Sequence, residues 1–242
     1  MVLASIAAAV SLPAVAAGWY LAPLSGRWRT QRRLRALCAS TRSLVLTYDD
    51  GPSEELTPRL LDLLKSRGAR ATFFLLGHRA VENPSIVGRI VEHGHEVACH
   101  THKHLNAWHG WPWRSVTDVN AGYRALSRWV PADGMFRPPH GKMTLLTWAA
   151  LRRRRATVGW WTINGGDVNE QLPRPNSAVE QAEHATGGVV LLHDFDRGRE
   201  RCEFVLKSTE LLLDAAQQHG WTVRTLGELD GEGRKEGLKH AA

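Results

Sequence analysis

The chain has 242 residues, 43% of them hydrophobic, and a formal charge of +7. That length and apolar content suit one domain with a sizeable core and exclude a disordered chain. The basic excess is local, since Arg27, Arg29, Arg32, Arg33, Arg35 and Arg152 to Arg155 supply nine of the 31 lysines and arginines. No aromatic-interleaved module accompanies them, so no nucleic-acid partner is expected, and Cys38, Cys99 and Cys202 show no paired spacing and exclude a disulfide framework.

Taken in chain order, residues 1–36 read as a hydrophobic segment followed by a basic one. Val2 to Leu24 carries no charge, which is long enough for a membrane-crossing helix, and Trp19, Tyr20 and Trp28 resemble an interfacial belt. A cleaved export signal is the rival reading, with Ala14-Val15-Ala16 as the cleavage site, although no Lys or Arg precedes the apolar run. Membrane association through this helix, on a side the charges leave open, is therefore the expectation for location.

Residues 37–230 alternate short apolar runs with helical stretches, the signature of repeated βα units. Strands are predicted at Leu44 to Leu46, Ala71 to Leu76, Glu96 to Cys99, Met135-Phe136, Thr157 to Thr162, Val189 to Leu192 and Thr222 to Arg224. Helices are predicted over Glu54 to Arg67, Pro84 to His93, Ser115 to Trp129, Leu145 to Arg153, Ala178 to Ala185 and Phe204 to His219. The fold class is thus α/β, a distorted (β/α) barrel of about seven strands, with residues 231–242 a Gly-, Lys- and Glu-rich disordered tail.

Such barrels build their sites at the C-terminal ends of the strands. Asp49-Asp50, His100, Arg137, Asn164 with Asp167, and His193 all follow predicted strands, so they would converge on one rim. Two adjacent carboxylates where a buried strand meets its loop repel one another, and the arrangement persists most easily if one holds a cation and the other stays free as a base. Asp-Asp-Gly-Pro is equally good turn chemistry, so the pair alone does not decide between the two. His100 and His104, four apart, face one side of a helical turn and, with Asp50, supply the three-ligand set of a catalytic zinc-type site. Arg137 stands in a proline-stiffened loop and can clamp Asp49 through a bidentate pair.

Thr47-Tyr48-Asp49-Asp50-Gly51-Pro52, His100-Thr101-x-x-His104, Arg137-Pro138-Pro139-His140-Gly141 and Leu191-Leu192-His193-Asp194, in that order, resemble the polysaccharide deacetylases, the chitooligosaccharide deacetylase homology domain. The resemblance runs from about Leu44 to Leu226. It implies that Asp49 is the general base, that Asp50, His100 and His104 bind one divalent metal ion, zinc or else cobalt, and that Arg137 holds Asp49. It also implies that His193 is the general acid, that Leu191 lines a pocket for the acetyl methyl, and that the backbone N–H of His140 helps to bind the oxyanion. The implied substrate is an acetylated amino sugar in a polymer, oligosaccharide or glycoconjugate.

The sequence departs from the family pattern at two places. His140 stands where an aromatic Tyr or Phe is usual, altering a substrate-facing wall. Asn164-Gly165-Gly166-Asp167-Val168 stands where the family carries Asp-x-x-Asp-Trp, so either Asp167 partners His193 or the acid is weakened, and Trp161 is the neighbouring aromatic left to face substrate. A weakened acid would suit an O-acetyl ester or another C–N amide, and a dead site would suit a membrane-tethered glycan-binding protein. Retention of both the base and the acid argues against pure binding.

Overall fold

A computed structural model describes residues 2–239 of the chain, with the side chains of residues 2–17, 20–22 and 235–239 outside the description. The elements run α1 (Val2–Thr41), β1 (Ser43–Asp49), α2 (Leu56–Ser66), β2 (Thr72–Leu75), α3 (Gly77–Glu82), α4 (Pro84–Glu92), β3 (Glu96–Cys99), α5 (Pro112–Ala125), α6 (Leu145–Arg154), β4 (Ile163–Asn164), α7 (Ser177–Ala185), β5 (Gly188–His193), α8 (Arg199–His219), β6 (Thr222–Val223) and α9 (Leu226–Lys239). All ladder pairs are parallel, in the order β3-β2-β1-β5-β4 with β6 on the start of β1. All seven residues of β1 are buried, as befits a central strand covered on both faces.

The sheet curls into a distorted barrel because one segment meets both of its edges. Cys99 bridges to Phe136 and Phe136 to Val158, while five residues further on Ile163 pairs with Val190 of β5. The strands predicted at Met135-Phe136 and Thr157 to Thr162 therefore survive as single bridges at Phe136 and Val158, with the ladder displaced to Ile163–Asn164. Sharp barrel closure leaves no room there for longer pairing. The helices pack their apolar faces on this barrel, for example Leu56, Leu60, Leu61 and Leu64 of α2.

Three features differ from the sequence reading. Helix α3 was not expected; it begins at Gly77, where a Cβ would lie 2.8 Å from His102 Nδ1 and 2.9 Å from Ala125 Cβ, so a tertiary contact dictates it. The boundary between residues 36 and 37 falls inside α1, whose Leu34, Leu37 and Cys38 belong to the common core. The segment from residue 231, expected as a disordered tail, is helical in α9 as far as Lys239. Buried Leu229, the Asp230 carboxylate between Arg33 and Arg234, and an Arg224–Glu232 pair tie that helix down despite its glycines. The expected cleavage site at Ala14 to Ala16, and most of the expected span over Val2 to Leu24, concern side chains outside the described residues. Among the described residues, no helix is long and apolar enough to cross a membrane.

Candidate active site

The C-terminal rim of the barrel gathers every residue singled out from the sequence. Parallel register sets Asp49 at the end of β1 level with His193 at the end of β5 and with Phe74 of β2. Side chains two apart on a strand share a face, so Thr47 lies beneath Asp49 and Leu191 beneath His193. Leu191 is 5% exposed, a nearly closed apolar floor.

Asp49 is held by a buried cation. Arg137 is fully buried, and its Nη1 donates to Asp49 Oδ1 at 2.7 Å and to Thr47 Oγ1 at 2.8 Å, while Nε donates to the Gly159 carbonyl at 3.1 Å. The guanidinium also stacks 3.9 Å from the Phe74 ring centroid, a desolvated cation–π contact. Burial pulls the Arg137 pKa down while Asp49 opposes that shift. Asp49 Oδ1 is thereby occupied, and Oδ2 remains as the oxygen free toward the cleft, 3.8 Å from His100 Nε2.

His193 has its own carboxylate. Its Nδ1 lies 3.1 Å from Asp167 Oδ1, and its backbone N–H donates to Asp167 Oδ2 at 2.9 Å. Nδ1 is therefore the protonated nitrogen, and Nε2 is the one presented to the cleft. Burial works against the charged imidazolium, but the Asp167 hydrogen bond and charge outweigh it, helped by Asp49 and Asp50, and the pKa rises to about 9. Asn164 takes no part in this pair; its Oδ1 accepts the Gly166 N–H at 3.1 Å, and Arg201 from α8 donates to the Asp167 and Asn169 carbonyls.

Asp50, His100 and His104 form a separate cluster. Asp50 Oδ1 stands 3.4 Å from His100 Nε2 and 3.2 Å from His104 Nε2, and the three candidate ligand atoms lie within 4.8 Å of one another. His100 Nδ1 donates to the Arg137 carbonyl at 2.8 Å, which fixes the tautomer and turns Nε2 inward. Burial lowers the His104 pKa to about 4, so at neutral pH its ring is an uncharged donor of a lone pair. Burial opposes ionisation of Asp50, yet the adjacent His100 ring, with the charges of His104 and His193, holds its carboxyl below the usual range. Asp50 Oδ1 is buried without a hydrogen-bond partner. An orphaned buried carboxylate oxygen facing two inward Nε2 atoms fits a divalent cation.

Backbone conformation marks this rim as well. Asp50, Thr101, His104 and His140 adopt φ values of 72°, 71°, 58° and 56°, in the left-handed region that side chains with a Cβ avoid. Their loops are braced from outside. The Thr101 hydroxyl accepts the His104 N–H, Asp118 accepts the N–H groups of Lys103 and Leu105, and the fully buried Asp194 accepts hydroxyl bonds from Thr57 and Ser53 beside the Asp50 turn. His140 sets its ring 4.6 Å from that of His104. Trp161 is half-buried, its ring 5.5 Å from the Arg137 guanidinium.

Two supporting residues escaped the sequence reading. Asp194 is one, a fully buried acid whose place at the close of a run of apolar strand residues is the signal for a buried partner. Arg27 of α1 donates to the Gly141 carbonyl at 3.2 Å and packs over Trp160 and Trp161 at 5.1 and 4.7 Å, bracing the His140 turn. Nothing in the sequence separates it from the other arginines of that run.

Comparison with known proteins finds relatives of the chain among deacetylases. The polysaccharide deacetylase family model matches residues 36–159. A peptidoglycan-N-acetylglucosamine deacetylase of Bacillus cereus is 30% identical over 188 residues, covering 77% of this chain and 87% of that protein. A chitooligosaccharide deacetylase of a Bradyrhizobium species is 30% identical over 202 residues, covering 79% and 92%. The crystal structure of a peptidoglycan N-acetylglucosamine deacetylase in complex with an N-hydroxybenzamide superposes with a TM-score of 0.70 at 25% identity, covering 79% of this chain and 89% of that one.

Proposed function

Since the chain belongs to the polysaccharide deacetylase family, we propose that it is a metal-dependent hydrolase removing the acetyl group from an N-acetylated amino sugar within an oligosaccharide, polysaccharide or glycoconjugate. The observation that carries this reading is the meeting, on one rim, of a buried Asp-His-His cluster, a clamped carboxylate and a carboxylate-backed histidine.

Asp50, His100 and His104 would hold the cation, zinc in our reading with cobalt as a substitute. When bound, such a cation supplies Lewis acidity toward the substrate carbonyl and an acidified water. The remaining work falls to the chain's own groups. Asp49 Oδ2 takes the proton of the attacking water, and Arg137 holds that carboxylate in place by binding Oδ1. The His140 N–H donates to the carbonyl oxygen as charge develops on it. His193, charged below about pH 9, gives its Nε2 proton to the departing amine, a step an amide needs because an amine anion leaves poorly. Leu191 and Trp161 bound the space for the acetyl methyl and the sugar face. With Asp167 on His193 Nδ1, the ground for a weakened acid is removed, so the ester and binding-only readings lose the motive that Asn164 gave them.

The test is acetate release from N-acetylglucosamine oligomers by the full chain, before and after metal stripping and on adding back zinc or cobalt, with Asp49→Asn as control. Release that disappears on stripping, returns with metal and is lost in the variant supports the reading. Failure of the chain to bind any divalent metal would overturn the mechanism.

A further inference from the structure

A second pocket opens from the same rim. It has a volume of about 280 Å³ and is lined by His104, Leu105, Asn106, His109, Arg114, Ser115 and His140. His104 and His140, whose rings meet edge to face, form the wall it shares with the cation cluster. A group seated there would therefore be the immediate neighbour of the group being hydrolysed.

The chemistry of the lining is one-sided. None of the lining residues is acidic. The Asn106 Oδ1 already accepts the Trp108 N–H at 3.0 Å, which leaves the amide nitrogen as its donor, and the Ser115 hydroxyl is taken up with Thr147 at 3.0 Å. Asp118, the acid closest in sequence, spends both oxygens on the N–H groups of Lys103 and Leu105. Arg114 is exposed and has no ion pair or hydrogen-bond acceptor among the described residues. The pocket thus presents a cation with no carboxylate to pair it, set among imidazoles that both donate and accept. Just before Arg114, Trp111 and Trp113 stack on one another at 4.9 Å and 12°, yet remain 65% and 57% exposed. An exposed aromatic pair beside a polar pocket is the kind of surface on which the C–H face of a sugar packs.

From this arrangement, and resting on the deacetylase reading above, we propose that the pocket is a subsite for the sugar next to the N-acetylated one, and that it takes a carboxylate on that sugar, with Arg114 as the recognising cation. The physiological glycan would accordingly be an acidic one.

The experiment compares two tetrasaccharides on the full chain: neutral N-acetylglucosamine tetramer, and a tetramer in which N-acetylglucosamine alternates with a uronic acid. The measured quantity is the ratio of kcat/KM values, together with the ratio of equilibrium affinities from calorimetry. The acidic tetramer is expected to be favoured about fivefold at low salt, carried by KM, with the advantage vanishing near 1 M salt. In Arg114→Gln the ratio falls to about one, Arg114→Lys keeps part of it, and removal of a remote charge in Arg128→Gln leaves it as in the parent. A ratio near one in the parent, or one that survives Arg114→Gln, overturns the subsite. Absence of turnover on both tetramers would instead count against the deacetylase reading, and the affinity ratio would still decide the subsite.

Discussion

Asp49 and Asp50 are consecutive residues, yet they belong to regions of the cleft with different construction. The region around Asp49 is strand-built: Asp49 and His193 end the central strands β1 and β5 in register, and their partners Arg137 and Asp167 are almost wholly buried. The region around Asp50 is loop-built: Asp50 and His104 sit at positive φ, and the backbone is kept there by Thr101, Asp118, Asp194 and their hydroxyl and amide contacts. The groups proposed to keep or move a proton rest on strand ends in the middle of the sheet. The Asp50, His100 and His104 cluster rests on loops whose strain the surroundings hold in place.

This contrast is broken most forcefully at Arg137. Replacing it with Met leaves Asp49 buried and without its cation at the end of the central strand, and unfolding by denaturant should show a loss of about 3–5 kcal/mol. On the loop side, His104→Ala should lower metal retention after dialysis by about 100-fold or more while changing the stability of the metal-free chain by about 1 kcal/mol. Equal destabilisation by the two changes would erase the distinction between a strand-built and a loop-built side.

The same division explains what could be read in advance. Strands β1, β3 and β5 were legible as short apolar runs closed by polar residues, and their last or next residues stand at the candidate site, so the meeting of Asp49, Asp50, His100 and His193 on one rim was legible with them. What could not be read depends on contacts made across the chain. Helix α3 owes its place to Gly77 against Gly122 and Ala125, and Arg27 meets Gly141 at a separation of 114 residues. Phe136 and Val158 make single bridges because barrel closure, a global property, cuts their pairing short. The alternation between Asn164 and Asp167 as partner of His193 was a question of loop path, which periodicity does not encode.

A sharper test of the strand-built side uses pH. His193 is raised in the fold to about 9 from an ordinary value near 6.5. A raised histidine stabilises the fold fully below the unfolded value, and that contribution is lost as pH rises through the folded value. The stability gap between the parent and Asp167→Asn should therefore be widest near pH 6 and should close toward pH 10. In kinetics, the alkaline limb of kcat/KM should move toward lower pH by about one unit or more in Asp167→Asn, since the general acid gives up its proton earlier. A limb that stays in place would remove His193 from the role of acid.

The smallest expected effect concerns strain on the loop side. His140 holds φ at 56°, a conformation that costs a residue with a Cβ about 1 kcal/mol and glycine almost nothing. If that strain is maintained for the cleft's sake, His140→Gly should raise the denaturation midpoint, worth up to about 1 kcal/mol, while KM for a neutral N-acetylated oligomer rises because the wall against His104 is gone. Loss of stability in the same variant would mean that the ring's contact with His104 outweighs the backbone cost. The turn would then be held by packing in the way the strand-built side is, and the contrast between the two sides would narrow to Asp50, Thr101 and His104.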